Sequence, residues 1–229
     1  MRAGWAAVAC IVLLAVQAGA EEKISLKTQK ERLSYVIGVD IGKGMKAQSL
    51  DVDPDILFRG VKDALAGGAL QMSEEEMQAI KNAVRKEMMA KQAEETKKLA
   101  EKNSKEGEAF LEENKKKEGV KTLPSGLQYK VITEGTGRTP QPADTVTVNY
   151  RGTTVDGKEF DSSYKRGQPA HLPVSGVIPG WSEALQLMKE GAKWQLFIPP
   201  GLAYGDKGAG NLIGPNATLI FEVELISIK

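Results

Sequence analysis

Near Gly119 the sequence changes character. Before it, glutamate and lysine dominate and Pro54 is the only proline; after it come β-branched residues, glycines and the rest of the 10 prolines. Proline and glycine interrupt helices, and β-branched residues suit a pleated surface. The chain therefore reads as α+β: an all-α N-terminal dimerisation domain with a long connecting helix, then an antiparallel β-sheet wrapped over a short α-helix. The expected divisions are a leader over 1–20, a helical domain over 21–72, a charged connecting helix over 73–119 and a β-rich domain over 120–229.

Three helix starts precede the change. Thr28-Gln-Lys-Glu31 is a capping box, in which the Thr hydroxyl and the Glu carboxylate satisfy free amides; Leu33, Val36, Ile37 and Ile41 then share one face. Asp53-Pro54 supplies an N-cap acid and a proline at the first helical position. Leu57, Val61 and Leu65 form that helix's stripe, and Gly67-Gly68 ends it. Ser73-Glu-Glu-Glu76 opens a third helix with a short stripe of Met77, Ile80, Val84 and Met88, after which nearly every residue to Lys105 is charged. Glu87/Lys91, Glu94/Lys98 and Glu101/Lys105 have the favourable acid-first spacing of four. A solvated helical rod follows, with Gly107 as a point of interruption; a disordered charged linker is the competing reading. Two short amphipathic helices and a rod make a poor core for one chain, so a homodimer through about residues 25–90 is expected. The Gly38/Gly42 spacing would let helices approach closely, within one subunit or between two.

Met1–Ala20 has the pattern of a cleaved leader: Arg2, an apolar run from Ala6 to Val16, and Ala18-Gly19-Ala20. The run is short for a bilayer span, which takes about 20 apolar residues; an uncleaved anchor is the alternative. Cys10, the only cysteine, lies inside it, leaving a thiol-free mature chain suited to an oxidising compartment. The mature protein is thus expected to be exported, to the periplasm or the outer surface, with no integral membrane segment. Lys and Arg number 31 against 30 Asp and Glu, and Arg2 belongs to the leader, so the mature charge balances. That argues against nucleic acid as a partner, since phosphate neutralisation needs a basic face.

After Thr122 the hydrophobic period becomes two. Leu127/Tyr129/Val131, Val146/Val148/Tyr150, Trp194/Leu196/Ile198 and Leu219/Phe221/Val223/Leu225 alternate with mostly polar residues between turn sequences. A helix from about Trp181 to Met188 interrupts the strands, with Ala184, Leu185 and Met188 inward. His171, the only histidine, reads as a surface strand residue. Without a mature cysteine, nucleophilic triads and Cys/His metal sites lack parts, so no metal or cofactor is expected. Gly205-Asp-Lys-Gly208-Ala-Gly210 lacks the Lys-Ser/Thr of a phosphate loop and reads as a flap. Asn216-Ala-Thr218 reads as a turn.

The segments Val148-Asn-Tyr150-Arg-Gly152, Gly157-Lys-Glu-Phe160-Asp161-Ser-Ser163, Gly176-Val177-Ile178-Pro179-Gly180-Trp181, Pro200-Gly-Leu-Ala203-Tyr204-Gly205 and Ala217-Thr218-Leu219-Ile-Phe221 resemble, in order, the FKBP-type prolyl isomerases. Leu33-Ser-Tyr35-Val-Ile37-Gly38, the Phe58–Gly67 stretch and the charged helix resemble their macrophage-infectivity-potentiator branch, whose N-terminal segments intertwine into dimers. The resemblance implies a peptidyl-prolyl isomerase acting without covalent chemistry on proline-containing unfolded or flexible polypeptides. It implies a pocket lined by Tyr150, Phe160, Val177, Ile178, Trp181, Tyr204, Ile213 and Phe221. Trp181 would be its floor, the Ile178 N–H and Tyr204 hydroxyl would bind substrate carbonyls, and Asp161 would be a buried acid beside the twisting amide. Asp161, Tyr204, Phe221 and Tyr150 would be catalytic; Phe160, Val177, Ile178, Trp181 and Ile213 would bind substrate. Ala170 and Ala209 stand where many relatives carry larger side chains, which implies thinner walls and only weak macrolide binding.

Taken singly, Tyr150, Trp181 and Phe221 also suit an ordinary core, and Asp161 suits a pair with a nearby Arg or a cap on Ser162-Ser163. A dimeric holdase clasping unfolded chains is the alternative function; it would not need Asp161 and Tyr204.

Overall fold

The computed structural model describes residues 24–229. The expected leader lies outside them. Two compact units divide between Ser73 and Glu74, and each is described by itself.

The first unit holds α1 (Gln29–Ala47) and α2 (Pro54–Ala66). The Thr28/Glu31 capping box forms in both directions, with the Thr28 Oγ1 accepting from the Glu31 amide at 3.2 Å and Glu31 accepting from the Thr28 amide at 2.8 Å. Asp53 caps α2 through the amides of Asp55 and Ile56, and Gly67 ends it in the left-handed region at φ 66°. Neither helix buries a single residue within the chain. Leu33, Val36, Ile37, Ile56, Phe58 and Leu65 all stand exposed, and nothing lies within 4 Å of where a Cβ on Gly38 or Gly42 would be. Local signals were enough to start and stop these helices; among the described residues, nothing buries their apolar faces.

The second unit begins with α3 (Glu74–Asn114), 41 residues that rise about 60 Å. It runs unbroken through Gly107, where an interruption was expected, because Gly107 is buried against Thr218 and the close approach needs a residue without a side chain. Of the acid-first pairs, Glu94–Lys98 closes at 2.6 Å. Lys115 and Lys116 pair instead with Glu112 and Glu113 three residues back. The last turns are tied to the sheet: the Asn114 Nδ2 donates to the Gln128 Oε1 at 3.0 Å, and the Gln128 Nε2 donates to the Leu111 carbonyl at 2.9 Å.

The strands are β1 (Val120–Thr122), β2 (Gln128–Thr133), β3 (Thr145–Thr154), β4 (Glu159–Ser162), β5 (Ala170–Pro173), β6 (Lys193–Ile198) and β7 (Leu219–Ile228). They form one antiparallel sheet in the order β1-β2-β6-β7-β3-β4, with β5 also on β3. Period-two alternation puts Trp194, Leu196 and Ile198 of β6 and Leu219, Phe221, Val223 and Leu225 of β7 on one inner face. That face wraps α4 (Pro179–Leu185), whose Trp181, Ala184 and Leu185 are buried in the same cluster. The helix was expected over Trp181–Met188. It starts earlier because Pro179 occupies a first-turn position, where its missing N–H costs nothing, and Met188 follows it into the core as part of the next turn. On the opposite face Phe197 packs against Phe110 of α3, ring centroids 5.8 Å apart. His171 lies exposed on β5, its Nδ1 3.0 Å from the Thr147 Oγ1.

Among the described residues, no helix is long and apolar enough to cross a membrane.

Candidate active site between the sheet and α4

The inner face leaves one aromatic concavity. Tyr150 comes from β3 and Phe221 from the opposite position region of β7, where Gly152 is the direct partner of Phe221. Trp181 rises from α4, and Phe160 from β4. The Trp181 ring meets Tyr150 at 5.3 Å and 88°, and Phe221 at 5.2 Å and 87°; Phe160 meets Phe221 at 5.4 Å and 83°. These are the edge-to-face arrangements that ring quadrupoles favour. Gly152 makes them feasible: a Cβ there would come within 2.7 Å of both the Phe160 and Phe221 rings.

The resulting cavity has a volume of about 710 Å³. Every site residue expected from the sequence lines it: Tyr150, Phe160, Asp161, Val177, Ile178, Trp181, Tyr204, Ile213 and Phe221. Trp181, only 3 % exposed, lies deepest in the protein of the pocket aromatics. Tyr204 stands at the opposite extreme, 41 % exposed at the mouth. Ile178 caps α4, its carbonyl taken by the Trp181 and Ser182 amides, while its own N–H makes no hydrogen bond among the described residues.

One expectation needs correcting. Asp161 is not buried: its side chain is 42 % exposed at the rim. β4 is the short outer strand beside β3, so a side chain there meets solvent on one flank. Ala170 packs against the core and contributes no surface to the cavity, which Leu172, two residues on, does line. Ala209 does line it.

The rim carries the site's charge. The Asp161 Oδ2 accepts from the Tyr150 hydroxyl at 2.5 Å, and its Oδ1 accepts from the Arg166 Nη1 at 2.5 Å and from the Ser162 amide at 2.8 Å. The Arg166 Nη2 also donates to the Tyr150 oxygen at 2.7 Å, closing a triangle. Partial burial pushes the Asp161 carboxyl upward, but Tyr150, Arg166 and Ser162 outweigh it and hold it below the usual carboxylate range. Burial, then the bond to Asp161, push the Tyr150 phenol up, so it remains a donor at neutral pH. Asp161 thus pairs with an Arg and also accepts from Ser162, and neither contact removes it from the pocket.

Arg166 carries little local signal in the sequence. The available signal was a cation five residues past an acid, in a turn where the Arg166 and Gly167 amides bond back to Ser163 and Tyr164. Leu172 and the flap residues Gly210, Asn211 and Leu212 were also missed as lining; leucine, glycine and asparagine carry no chemical signature. Among the described residues, no group of three or more His, Cys, Asp and Glu side chains could hold a metal ion.

Comparison with known proteins identifies the family. Residues 30–131 match the domain amino-terminal to FKBP-type peptidyl-prolyl isomerase, and residues 136–226 match the FKBP-type peptidyl-prolyl cis-trans isomerase domain. The chain is 49 % identical to the "Outer membrane protein MIP" of Legionella longbeachae over 210 residues, 92 % of this chain and 90 % of that one. It is 48 % identical to the peptidyl-prolyl cis-trans isomerase Mip of Coxiella burnetii over 204 residues, 89 % of each chain. The crystal structure of FkpA from Escherichia coli superposes with a TM-score of 0.71 at 39 % identity, over 90 % of this chain and 99 % of that one. With both halves matched in order and relatives aligned over nearly their full length, this chain belongs to the FKBP-type peptidyl-prolyl cis-trans isomerases, in the Mip and FkpA group.

Proposed function

We propose that the pocket accelerates cis–trans exchange at Xaa-Pro bonds of exported proteins during their folding, by stabilising the twisted amide without covalent chemistry. An unaided prolyl bond faces a barrier of roughly 20 kcal/mol and exchanges over tens of seconds or more. No bond breaks, so no nucleophile is needed. Planar amides carry charge separation through resonance, and twisting removes it. An apolar, water-poor cavity therefore favours the twisted form over the planar one. The supporting observation is the aromatic box of Tyr150, Phe160, Trp181 and Phe221 facing the fixed Asp161–Tyr150–Arg166 triangle.

In this reading the proline ring sits on Trp181, walled by Val177 and Ile213. The Ile178 N–H and the Tyr204 hydroxyl donate to substrate carbonyls. As resonance is lost the carbonyl carbon becomes electron-poor, and the Asp161 carboxylate beside it is then favourable, with no reorganisation at the moment of rotation. A thousandfold acceleration requires about 4 kcal/mol in total, within reach of shape plus a few such contacts. Small Ala209 leaves less wall for a macrolide, so weak macrolide binding is part of the proposal.

The division into a leader over 1–20, a helical dimerisation domain over 21–72, a connecting helix over 73–119 and an isomerase domain over 120–229 is proposed with it. Export, to the periplasm or outer surface, draws support from the leader pattern and from a relative named as an outer membrane protein. Dimerisation draws support from the unburied apolar faces of α1 and α2.

The test is a prolyl isomerisation assay on residues 21–229 with Asp161→Ala and Tyr204→Phe. The parent should accelerate exchange, Asp161→Ala should lose about tenfold, and Tyr204→Phe about twofold to tenfold, the worth of one hydrogen bond. A folded parent without acceleration would sink the catalytic reading and leave a dimeric holdase that clasps unfolded chains.

A further inference from the structure

We propose that Asn103, on the connecting helix α3, is a positioning residue for the isomerase site, acting through the flap at 205–216. The proposal rests on the pocket reading above. Gly210, Leu212 and Ile213 of this flap form one wall of the prolyl pocket. Behind the same residues lies a second cavity of about 650 Å³, between the flap and α3. The wall is therefore one chain thick, with open space on both sides. It has no helix or strand of its own beyond a short 3-10 turn and the isolated Ala209–Ile213 bridge. A segment so thin opens locally at a free energy set by its few anchors.

On the inner side Ile213 is buried in the hydrophobic core; on the outer side the anchors come from α3. The Asn103 Nδ2 donates to the Pro215 carbonyl at 2.8 Å, across 112 residues of sequence. Immediately before it, a Cβ on Gly214 would come 2.9 Å from the Asn103 Nδ2 and 3.1 Å from the Leu99 Cδ2, so the flap backbone is seated directly on these two side chains. One turn further along α3, Gly107 lets the helix approach Thr218, at the start of β7, so closely that a Cβ would overlap the threonine Oγ1. Within the flap, the Asn216 amide donates to the Gly205 carbonyl at 2.8 Å, and Ala209 and Ile213 exchange backbone hydrogen bonds. The helix that reads as a spacer is thus also the back support of the pocket wall.

The consequence is kinetic. If the flap is released, only the fraction of molecules with the wall in place binds substrate, and apparent affinity falls by that fraction while bound substrate reacts as before. Asn103→Ala should raise KM for a prolyl peptide about threefold to tenfold, the worth of one lost hydrogen bond, with kcat within about twofold of the parent. Amide hydrogen exchange at 208–214 should quicken. The urea midpoint should hold, because alanine is the best helix former. Asn103→Gln keeps the donor and should recover at least half of the lost affinity.

All variants are made in the chain over residues 21–229. An unchanged KM in Asn103→Ala overturns the proposal, as does a fall in kcat and urea midpoint together, or a loss that Asn103→Gln fails to restore. A parent without isomerase activity is a different failure, that of the pocket reading; flap exchange in Asn103→Ala would still report on the seam.

Discussion

At the scale of single residues, Asp161 has to be partly exposed and still reliably ionised. Its exposure opens it to solvent and, in the proposed function, to substrate, while the Tyr150 hydroxyl, the Arg166 guanidinium and the Ser162 amide hold its carboxyl below the usual range against the upward push of partial burial. The sign of the pH effect follows. A group whose folded pKa is depressed contributes above its unfolded pKa, and the contribution is lost as pH falls through the folded value. Isomerase kcat/KM should therefore be flat through neutral and mildly acidic pH and fall only below the ordinary aspartate range. Asp161→Asn should be slower throughout and lack this acid limb. The check is a pH–rate profile with circular dichroism at each pH; an acid limb of the same size in Asp161→Asn would assign it elsewhere. Because the pair is largely solvent-screened, its value to global stability is small, and its work is to fix the rim.

At the scale of elements, α3 is two kinds of helix in one. Its first half is solvated and stabilised by weak local pairs such as Glu94–Lys98. Its last turns, from Leu99 onward, pack on the β domain through Asn103, Gly107, Phe110 and Asn114. Asn114 is almost fully buried, and its amide satisfies the equally buried Gln128, which in turn satisfies the Leu111 carbonyl. Removing one member of such a chain leaves a buried acceptor unpaired. Asn114→Leu should destabilise the β domain by about 1–3 kcal/mol and quicken amide exchange over the last turn of α3. Urea denaturation of the full chain with exchange at 111–115 measures both. An unchanged midpoint would mean that water replaces the lost partner.

At the scale of the molecule, the first unit poses a problem that the second does not. α1 and α2 are well capped and amphipathic, yet bury nothing within one chain, leaving Leu33, Val36, Ile37, Phe58 and Leu65 in water. Burial of such side chains is worth about 1.5–3 kcal/mol each, which two chains can realise and one does not. A homodimer is the proposed resolution. The melting temperature of the first unit should then rise with protein concentration. Ile37→Asp should shift the chain to monomer in sedimentation, with peptide isomerisation per pocket within about twofold of the parent. A monomeric parent at micromolar concentration would overturn the dimer.

Much of this was legible in the sequence for a physical reason: helix caps, turn residues and hydrophobic period act over a few residues, and each expected start from Thr28 and Asp53, and each alternating strand, rests on such local forces. Tyr150 and Phe221 stand at inward positions of alternating strands, but that they, Trp181 of α4 and Phe160 line one pocket was legible only through motifs shared with the family. What the tertiary structure alone decided were relations between distant segments. Arg166 completes the Asp161 triangle only once β3 and β4 pair; Asp161 meets solvent because β4 lies at the sheet's end; Leu172 joins the wall through the pairing of β5 with β3. Gly107, which locally reads as a break, is helical because Thr218, 111 positions later, needs the space its missing side chain leaves. Local chemistry determined which elements form; the close approach of surfaces far apart in the chain determined where they end, what they bury and which of their side chains reach the pocket.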